Sequence, residues 1–338
     1  MGSLKGLVSV DLVDPYGRIV RDLRISITDR CNFRCTYCMP HEGMQWTPRE
    51  QLLSFEELTR VARVCVERFG VESVRITGGE PTVRAHLPVL IGRLAALGVD
   101  LSMTTNGATL AQSAADLVRA GLKRINVSLD SLRAERFAEI TGRDALDRVL
   151  AGIHAARDAG LDPVKVNCVL VRGVNDDEIV DFAAFGRDQG VEVRFIEWMP
   201  LDGDHSWEAG QVVPGEEIVE AIDAVWPLVT DSGSRPRDAA PAENYSYVDG
   251  RGSVGVIASV TKPFCESCDR IRLTAEGQLR NCLFSVRETD LRGILRGGGS
   301  DDDLASAIAA EVGLKWAGHS IGQVNFVRPE RSMSQIGG

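Results

Sequence analysis

"RISITDRCNFRCTYC" (residues 24–38) begins as a strand and ends as a cluster of thiols. Arg24, Ser26 and Thr28 alternate with Ile25 and Ile27. On a β-strand that puts the polar residues on one face and the apolar ones on the other. Ile25 and Ile27 then need a covering layer, while Arg24 faces something polar. The second half carries Cys31, Cys35 and Cys38 at C-x3-C-x2-C spacing, with no local fourth cysteine or histidine. His41 is close by, but it lies just past a proline on the way out of the loop.

The same alternation recurs in "SVRIT" (73–77), "DLSMT" (100–104), "RINVS" (124–128), "PVKVNCVLV" (163–171) and "EVRFI" (192–196). Arg75 and Thr77 oppose Ile76, and Ser102 and Thr104 oppose Met103. Asn126 and Ser128 oppose Val127, and Lys165 and Asn167 oppose Val166 and Cys168. Amphipathic stretches such as "FEELTRVARVCVERF" and "DALDRVLAGIHAARDAG" separate most of these runs. Alternating strand and helix predicts an α/β fold with parallel strands and right-handed crossovers. Parallel barrels usually fill their interior with branched apolar side chains. Here arginine, lysine, serine, threonine and asparagine would line it, which predicts a lumen built for a ligand. A sheet with one wet face is the alternative.

After residue 230 the rhythm breaks at the turn-rich "TDSGSRPRDAAPAENYSYVDGRG". The expected division is therefore 1–230 and 231–338. The second part holds strand-like "SVGVIASV" and "RIRLTA" and a helix at "DDDLASAIAAEVGLKW", whose acidic first turn suits the helix dipole.

The chain has 338 residues, 44% of them hydrophobic and 25% charged, enough for a substantial core. A net charge of −10 argues against nucleic acid or an anionic membrane surface as partner. No run approaches the length needed to cross a bilayer. "MGSLKGLVSVDLVDPYG" has no long apolar stretch or small-residue cleavage site, and Gly6 stands where a myristoylation signal needs Ser or Thr. A cytoplasmic location is expected, in which the eight cysteines stay reduced and clustered thiols serve metal binding or catalysis.

In a parallel barrel the reactive mouth lies at the carboxyl ends of the strands. The segments just past them are "DRCNFRCTYC", "GGEPTVR", "TNG", "LDS", "RGVNDDE" and "EWMP". Three thiolates can hold three corners of a cubic iron–sulfur cluster and leave one iron open. Zinc with a distant fourth ligand is the alternative, since structural zinc sites are closed by four ligands. A second triplet, Cys265, Cys268 and Cys282, lies in "FCESCDRIRLTAEGQLRNC" and also stops one ligand short. It reads as a zinc knuckle or a second open cluster. Arg270 and Arg272 alternate after Cys268 and, with Arg24, Arg75, Arg194 and Lys165, suit a polyphosphate; scattered or salt-bridged surface arginines are the other reading. Cys65 and Cys168 fit the core. His86, His154, His205 and His319 have no partner spacing.

C-x3-C-x2-C with an aromatic, Tyr37, before the last cysteine resembles the radical S-adenosylmethionine enzymes, and "GGEP" (78–81) after the second strand matches their second motif. The resemblance implies an incomplete (βα)6 TIM-like barrel closed by a smaller C-terminal region that carries a second iron–sulfur cluster. It also implies two [4Fe-4S] clusters on Cys31, Cys35, Cys38 and Cys265, Cys268, Cys282, with S-adenosyl-L-methionine as cofactor. The second triplet, Arg270, Arg272 and the terminal Ile336-Gly337-Gly338 narrow the resemblance to the branch that cyclises GTP at the start of molybdenum cofactor biosynthesis.

By that resemblance Tyr37, Gly79, Glu80, Ser128 and Met199 contact S-adenosylmethionine, with Glu80 meeting its ammonium. Arg24, Arg75, Thr104, Lys165, Arg194, Arg270, Ile271 and Arg272 surround GTP. Arg24, Arg270, Arg272, Gly337 and Gly338 take part in the reaction. The implied partners are GTP, a reducing electron donor, a downstream cyclic pyranopterin monophosphate synthase and a second copy in a homodimer. Gln335 departs from the aromatic residue more usual before the tail. A peptide-modifying radical enzyme and a zinc-stabilised binding protein are the rival readings.

Overall fold

The computed structural model describes residues 10–39, 44–231, 240–324 and 326–337. Six strands follow the alternating runs: β1 (Asp22–Ser26), β2 (Ser73–Thr77), β3 (Asp100–Thr105), β4 (Arg124–Ser128), β5 (Val164–Leu170) and β6 (Glu192–Glu197). They pair in parallel in chain order. Register brings the polar positions level, with Arg24 opposite Arg75 and Arg75 opposite Ser102. Asn167 likewise lies opposite Arg194. On the other face Ile25, Ile76, Met103, Val127, Val166 and Cys168 are fully buried.

That apolar face is covered by α1 (Phe55–Phe69), α2 (Leu87–Ala95), α3 (Leu110–Arg119), α4 (Ala134–Thr141), α5 (Leu146–Asp158) and α6 (Ile179–Gln189). α1 occupies the whole predicted segment because both its ends are specified. Ser54 and Glu57 form a reciprocal capping box, and Gly70 closes it with φ +65°. Its buried stripe includes Leu58, Val61, Ala62 and Cys65, and each large side chain so buried contributes about 1.5–3 kcal/mol. Burial pushes the Cys65 thiol up to about 12.

After α7 (Gly215–Asp223), the C-terminal part joins the same sheet. β7 (Leu228–Thr230), β8 (Glu243–Tyr247) and β9 (Ser253–Ile257) add at one end; β10 (Arg270–Leu273), β11 (Gln278–Arg280) and β12 (Thr289–Asp290) add at the other. β9 pairs parallel with β6, and β10 pairs parallel with β1. The six-unit barrel is thus lengthened at both edges by strands from residue 228 onward. Local periodicity carries no sign of this, because strand pairing is a long-range choice.

α8 (Leu291–Arg296) and α9 (Asp301–Val312) pack outside, and α10 (Met333–Ile336) ends the chain. A separate small apolar cluster of Leu201, Phe284, Ile321 and Ile336 anchors this last helix. No helix among the described residues is long and apolar enough to cross a membrane.

Candidate active site

The strands curl around one chamber of about 1480 Å³, counting its open mouth. Cys31, Cys35 and Cys38 line it at the carboxyl ends of the strands, where the sequence placed them. The loop that carries them is tied down by backbone bonds. The N–H groups of Cys38 and Met39 both donate to the Cys35 carbonyl at 3.0 Å. Arg34 and Thr36 donate to the end of α4, at Thr141 and Ile140. Phe33 packs edge-on against Phe137, with centroids 5.9 Å apart.

The glycine pair has a steric reason. A Cβ on Gly79 would lie 2.4 Å from the carbonyl oxygens of both Asp29 and Arg30, and one on Gly78 would lie 2.7 Å from the Thr28 oxygen. Gly79 N–H donates to Thr28 O at 2.6 Å. The turn therefore presses its backbone on the root of the cysteine loop, which any side chain would prevent.

Glu80 does not stand free. Its carboxylate accepts from Thr82 N at 3.0 Å, Thr82 Oγ1 at 2.6 Å, Thr105 Oγ1 at 2.7 Å and Asn106 N at 2.7 Å. It knits the glycine turn to the end of β3, and burial raises its pKa. Asn106, in the "TNG" segment, then reaches Asn32 Oδ1 at 2.8 Å.

Tyr37, Ser128 and Met199 all line the chamber. Tyr37 Oη donates to Asp130 Oδ2 at 2.7 Å, and Val169 N–H donates to Asp130 Oδ1 at 2.8 Å. Burial raises the Asp130 carboxyl to about 6. Asp130 and Asn106 were assigned no role from sequence. Their only signal was position, just past a strand in "LDS" and "TNG".

Arg24, Arg75, Thr104, Arg194, Arg270 and Arg272 line the same chamber. Lys165 is not among its wall residues. It sits nearer the amino ends of the strands, with Nζ 2.8 Å from the Glu192 carboxylate. Ile271, between the two arginines of β10, faces the other way and is fully buried in the core. That leaves only its backbone on the chamber side.

The arginines are held in a strongly cationic setting. Burial, with the charge of Arg24, brings Arg75 down to about 9. Burial and the charges of Arg24 and Arg270 pull Arg272 well below the usual range. Arg24 has Asp22 at 3.6 Å, yet the Nε groups of Arg24, Arg75 and Arg270 are buried without a hydrogen-bond partner. Buried unpaired donors are costly, and an anionic ligand would satisfy them.

Cys265, Cys268 and Cys282 are free, half-buried thiols. Burial alone would push Cys268 up, but the charges of Arg270 and Lys315 and hydrogen bonds from Arg270 bring it to about 7. Arg270 lies over the Phe264 ring at 4.6 Å. Among the described residues no three Cys, His, Asp or Glu side chains converge tightly enough to hold one metal ion. Cys31, Cys35 and Cys38 stand on the wall of the chamber, where three thiols fit a multi-iron group with one open corner, while Cys265, Cys268 and Cys282 are not among the residues that line it.

The tail borders the chamber through Met333 and Ser334. Arg272 Nη1 donates to the Gly337 carbonyl at 2.5 Å, and Met333 N–H donates to Leu201 O at 3.0 Å. Gly337 has φ +81°, and a Cβ there would lie 2.3 Å from Thr77 Oγ1. Gly338 lies outside the described residues, as does His41. Gln335 serves the docking: its Oε1 accepts the Ser332 N–H at 3.0 Å and completes the capping box of α10.

A parallel barrel with three thiols on its first loop, and a glycine turn pressed against that loop, defines a radical S-adenosylmethionine enzyme. The model of the Radical SAM superfamily matches residues 25–186, and that of Molybdenum Cofactor Synthesis C matches residues 191–321. Streptococcus suis SuiB bound to S-adenosylmethionine has a similar fold, with TM-score 0.59 at 15% identity over 87% of this chain and 69% of that one. The GTP 3′,8-cyclase of Mycolicibacterium smegmatis is 51% identical over 97% of this chain and 92% of its own. That of Streptomyces coelicolor is 48% identical over 97% of this chain and 96% of its own. The chain belongs to the GTP 3′,8-cyclase family.

Proposed function

We propose that this chain is a GTP 3′,8-cyclase, converting GTP to (8S)-3′,8-cyclo-7,8-dihydroguanosine 5′-triphosphate. The observation that carries the reading is a single chamber lined both by a cysteine triplet and by buried arginines whose Nε groups lack a hydrogen-bond partner. Cys31, Cys35 and Cys38 would hold a [4Fe-4S] cluster, and Cys265, Cys268 and Cys282 a second one. When bound, the first cluster and S-adenosylmethionine supply the electron and the radical that start the cyclisation.

This chain's own residues do the rest. Gly78 and Gly79 leave room for the cofactor beside the cysteine loop, and Glu80 fixes that turn to β3. Asp130 sets the Tyr37 ring through its hydroxyl. Arg24, Arg75, Arg270 and Arg272 neutralise and orient the triphosphate by charge-assisted hydrogen bonds. Residues 1–230 form the partial barrel, which holds the cofactor and supplies Arg24 and Arg75 to the triphosphate, and residues 231–338 form the second-cluster region, which adds Arg270 and Arg272. Arg272 joins the tail to the substrate side, and the docked tail helps to exclude water from a reactive centre. A reducing electron donor and a downstream cyclic pyranopterin monophosphate synthase complete the reading, with the chain homodimeric in the cytoplasm.

The test is anaerobic reconstitution with iron, sulfide, S-adenosylmethionine, a reductant and GTP, followed by mass analysis of the nucleotide. The expected product is an isomer of GTP with altered retention. Unchanged GTP alongside active cleavage of S-adenosylmethionine would refute the substrate assignment.

A further inference from the structure

The motifs above make no use of a small hairpin outside the barrel, closed by a bridge between Val13 and Ile19. Its turn, "DPYGR" (14–18), contains a fully buried carboxylate. Asp14 Oδ1 accepts the N–H groups of Tyr16 at 2.8 Å and Arg18 at 3.0 Å, and Oδ2 accepts Arg18 Nε at 2.5 Å. The Arg18 guanidinium is thus aimed inward, with its side chain only 8% exposed.

What it reaches is the second cysteine triplet. Arg18 Nη1 donates to Cys265 O at 2.6 Å and to Ala317 O at 2.8 Å, while Nη2 donates to Trp316 O. One side chain therefore ties the hairpin, the Cys265 loop and the segment after α9 together. That last segment is itself the wall behind the thiol. A Cβ on Gly318 would lie 2.9 Å from Cys265 Cβ and 3.2 Å from its Sγ, and the His319 backbone hydrogen-bonds the thiol. A planar fork of fixed donors suits three carbonyls at once; a lysine ammonium cannot hold the same array.

We infer that Arg18, oriented by Asp14, is a positioning residue for the second cluster: it clamps the Cys265 loop against residues 316–318 and so sets the substrate side of the chamber from the N-terminal hairpin. This rests on the second-cluster reading above. Loops pay conformational entropy when ordered, and this clamp supplies the order before the metal arrives.

The experiment uses the full chain, reconstituted anaerobically with iron and sulfide, as wild type, Arg18→Ala, Arg18→Lys and the triple variant Cys265→Ala/Cys268→Ala/Cys282→Ala. Iron per chain, cleavage of S-adenosylmethionine without GTP, and the KM for GTP are measured. Arg18→Ala is expected to fall to the iron content of the triple variant. Its cleavage rate should stay within about twofold of wild type, as for a change remote from that step. Arg18→Lys should keep more iron and raise the KM for GTP about tenfold, the equivalent of one good hydrogen bond, with a smaller change in kcat.

Wild-type iron and KM in Arg18→Ala overturn the proposal. So does parallel loss of iron and cleavage, which would mean that Arg18 merely supports the fold. If Arg18→Ala is insoluble, Arg18→Lys decides by the same two readouts. Wild-type iron in the triple cysteine variant overturns the second-cluster reading and this proposal with it, a result distinct from failure of Arg18→Ala alone.

Discussion

Replacing Gly337 by alanine tests whether the tail acts from inside the chamber. At φ +81° a residue with a side chain costs about 1–2 kcal/mol. The new Cβ would also lie 2.3 Å from Thr77 Oγ1 and 3.1 Å from Ser26 Cβ, and such overpacking costs about 1–3 kcal/mol more. Against this total of about 2–5 kcal/mol stand two anchors. Burying Ile336 is worth about 1.5–3 kcal/mol, and the Arg272 bond to the Gly337 carbonyl about as much. The terms are comparable, so Gly337→Ala should release or shift the tail. At tenfold per about 1.4 kcal/mol, the ratio of docked to released tail falls at least about 30-fold, and where penalty and anchors cancel about half the chains keep the tail in place.

Product formation, followed by mass analysis under anaerobic conditions, should fall with the docked fraction, at least about twofold once the penalty matches the anchors. Iron content should not change. The melting temperature should hardly move, because Ile336 belongs to a small cluster separate from the main core. Wild-type turnover in Gly337→Ala would refute the placement of the tail, as would an active chain lacking both terminal glycines.

Other outcomes follow from the same geometry. Arg270→Ala removes a buried cation worth about 1.5–3 kcal/mol to an anionic partner; cyclisation should drop about 10- to 100-fold while cleavage of S-adenosylmethionine survives, and equal loss of both activities would count against a substrate-side role. Gly79→Ala puts a Cβ 2.4 Å from two backbone oxygens that cannot rotate away. Titration with S-adenosylmethionine should show its affinity reduced more than about tenfold, since displacing backbone costs several kcal/mol; unchanged affinity would discount the close approach. For Glu192, burial alone would raise the carboxyl pKa, but the charges of Arg194 and Lys165 and their hydrogen bonds lower it overall. Its stabilisation is complete above the ordinary glutamate value of about 4.3 and is lost as pH falls through the lower folded value. Glu192→Gln should therefore flatten the acid limb of the chemical unfolding profile, and an unchanged slope would show the pair to be inert.

The barrel was readable because its information is local. Ile25, Ile76, Val127 and Val166 alternate with polar residues at a period that only a strand satisfies, and Ser54 and Gly70 bracket α1 within the sequence itself. The cysteine spacing was equally plain, since three thiols on one short loop must face the same mouth. Harder to read were the residues whose partners lie far along the chain. Glu80 looked free for a ligand until Thr105 and Asn106 came to meet it, and Ile271 shared a motif with two arginines while pointing away from them. Lys165 shares the polar face of β5 but sits too close to the amino end, paired with Glu192.

By itself the order of residues determined the alternating units, the two cysteine triplets and a cationic lumen, all set by spacings of a few residues. Only the folded chain decided that β9 and β10 extend the barrel, that Gly337 rests beside Thr77, and that Arg18 grips the Cys265 loop across 247 residues of sequence. Pairings over such separations depend on which surfaces remain to be covered once the local elements have formed, and no short stretch of sequence records that.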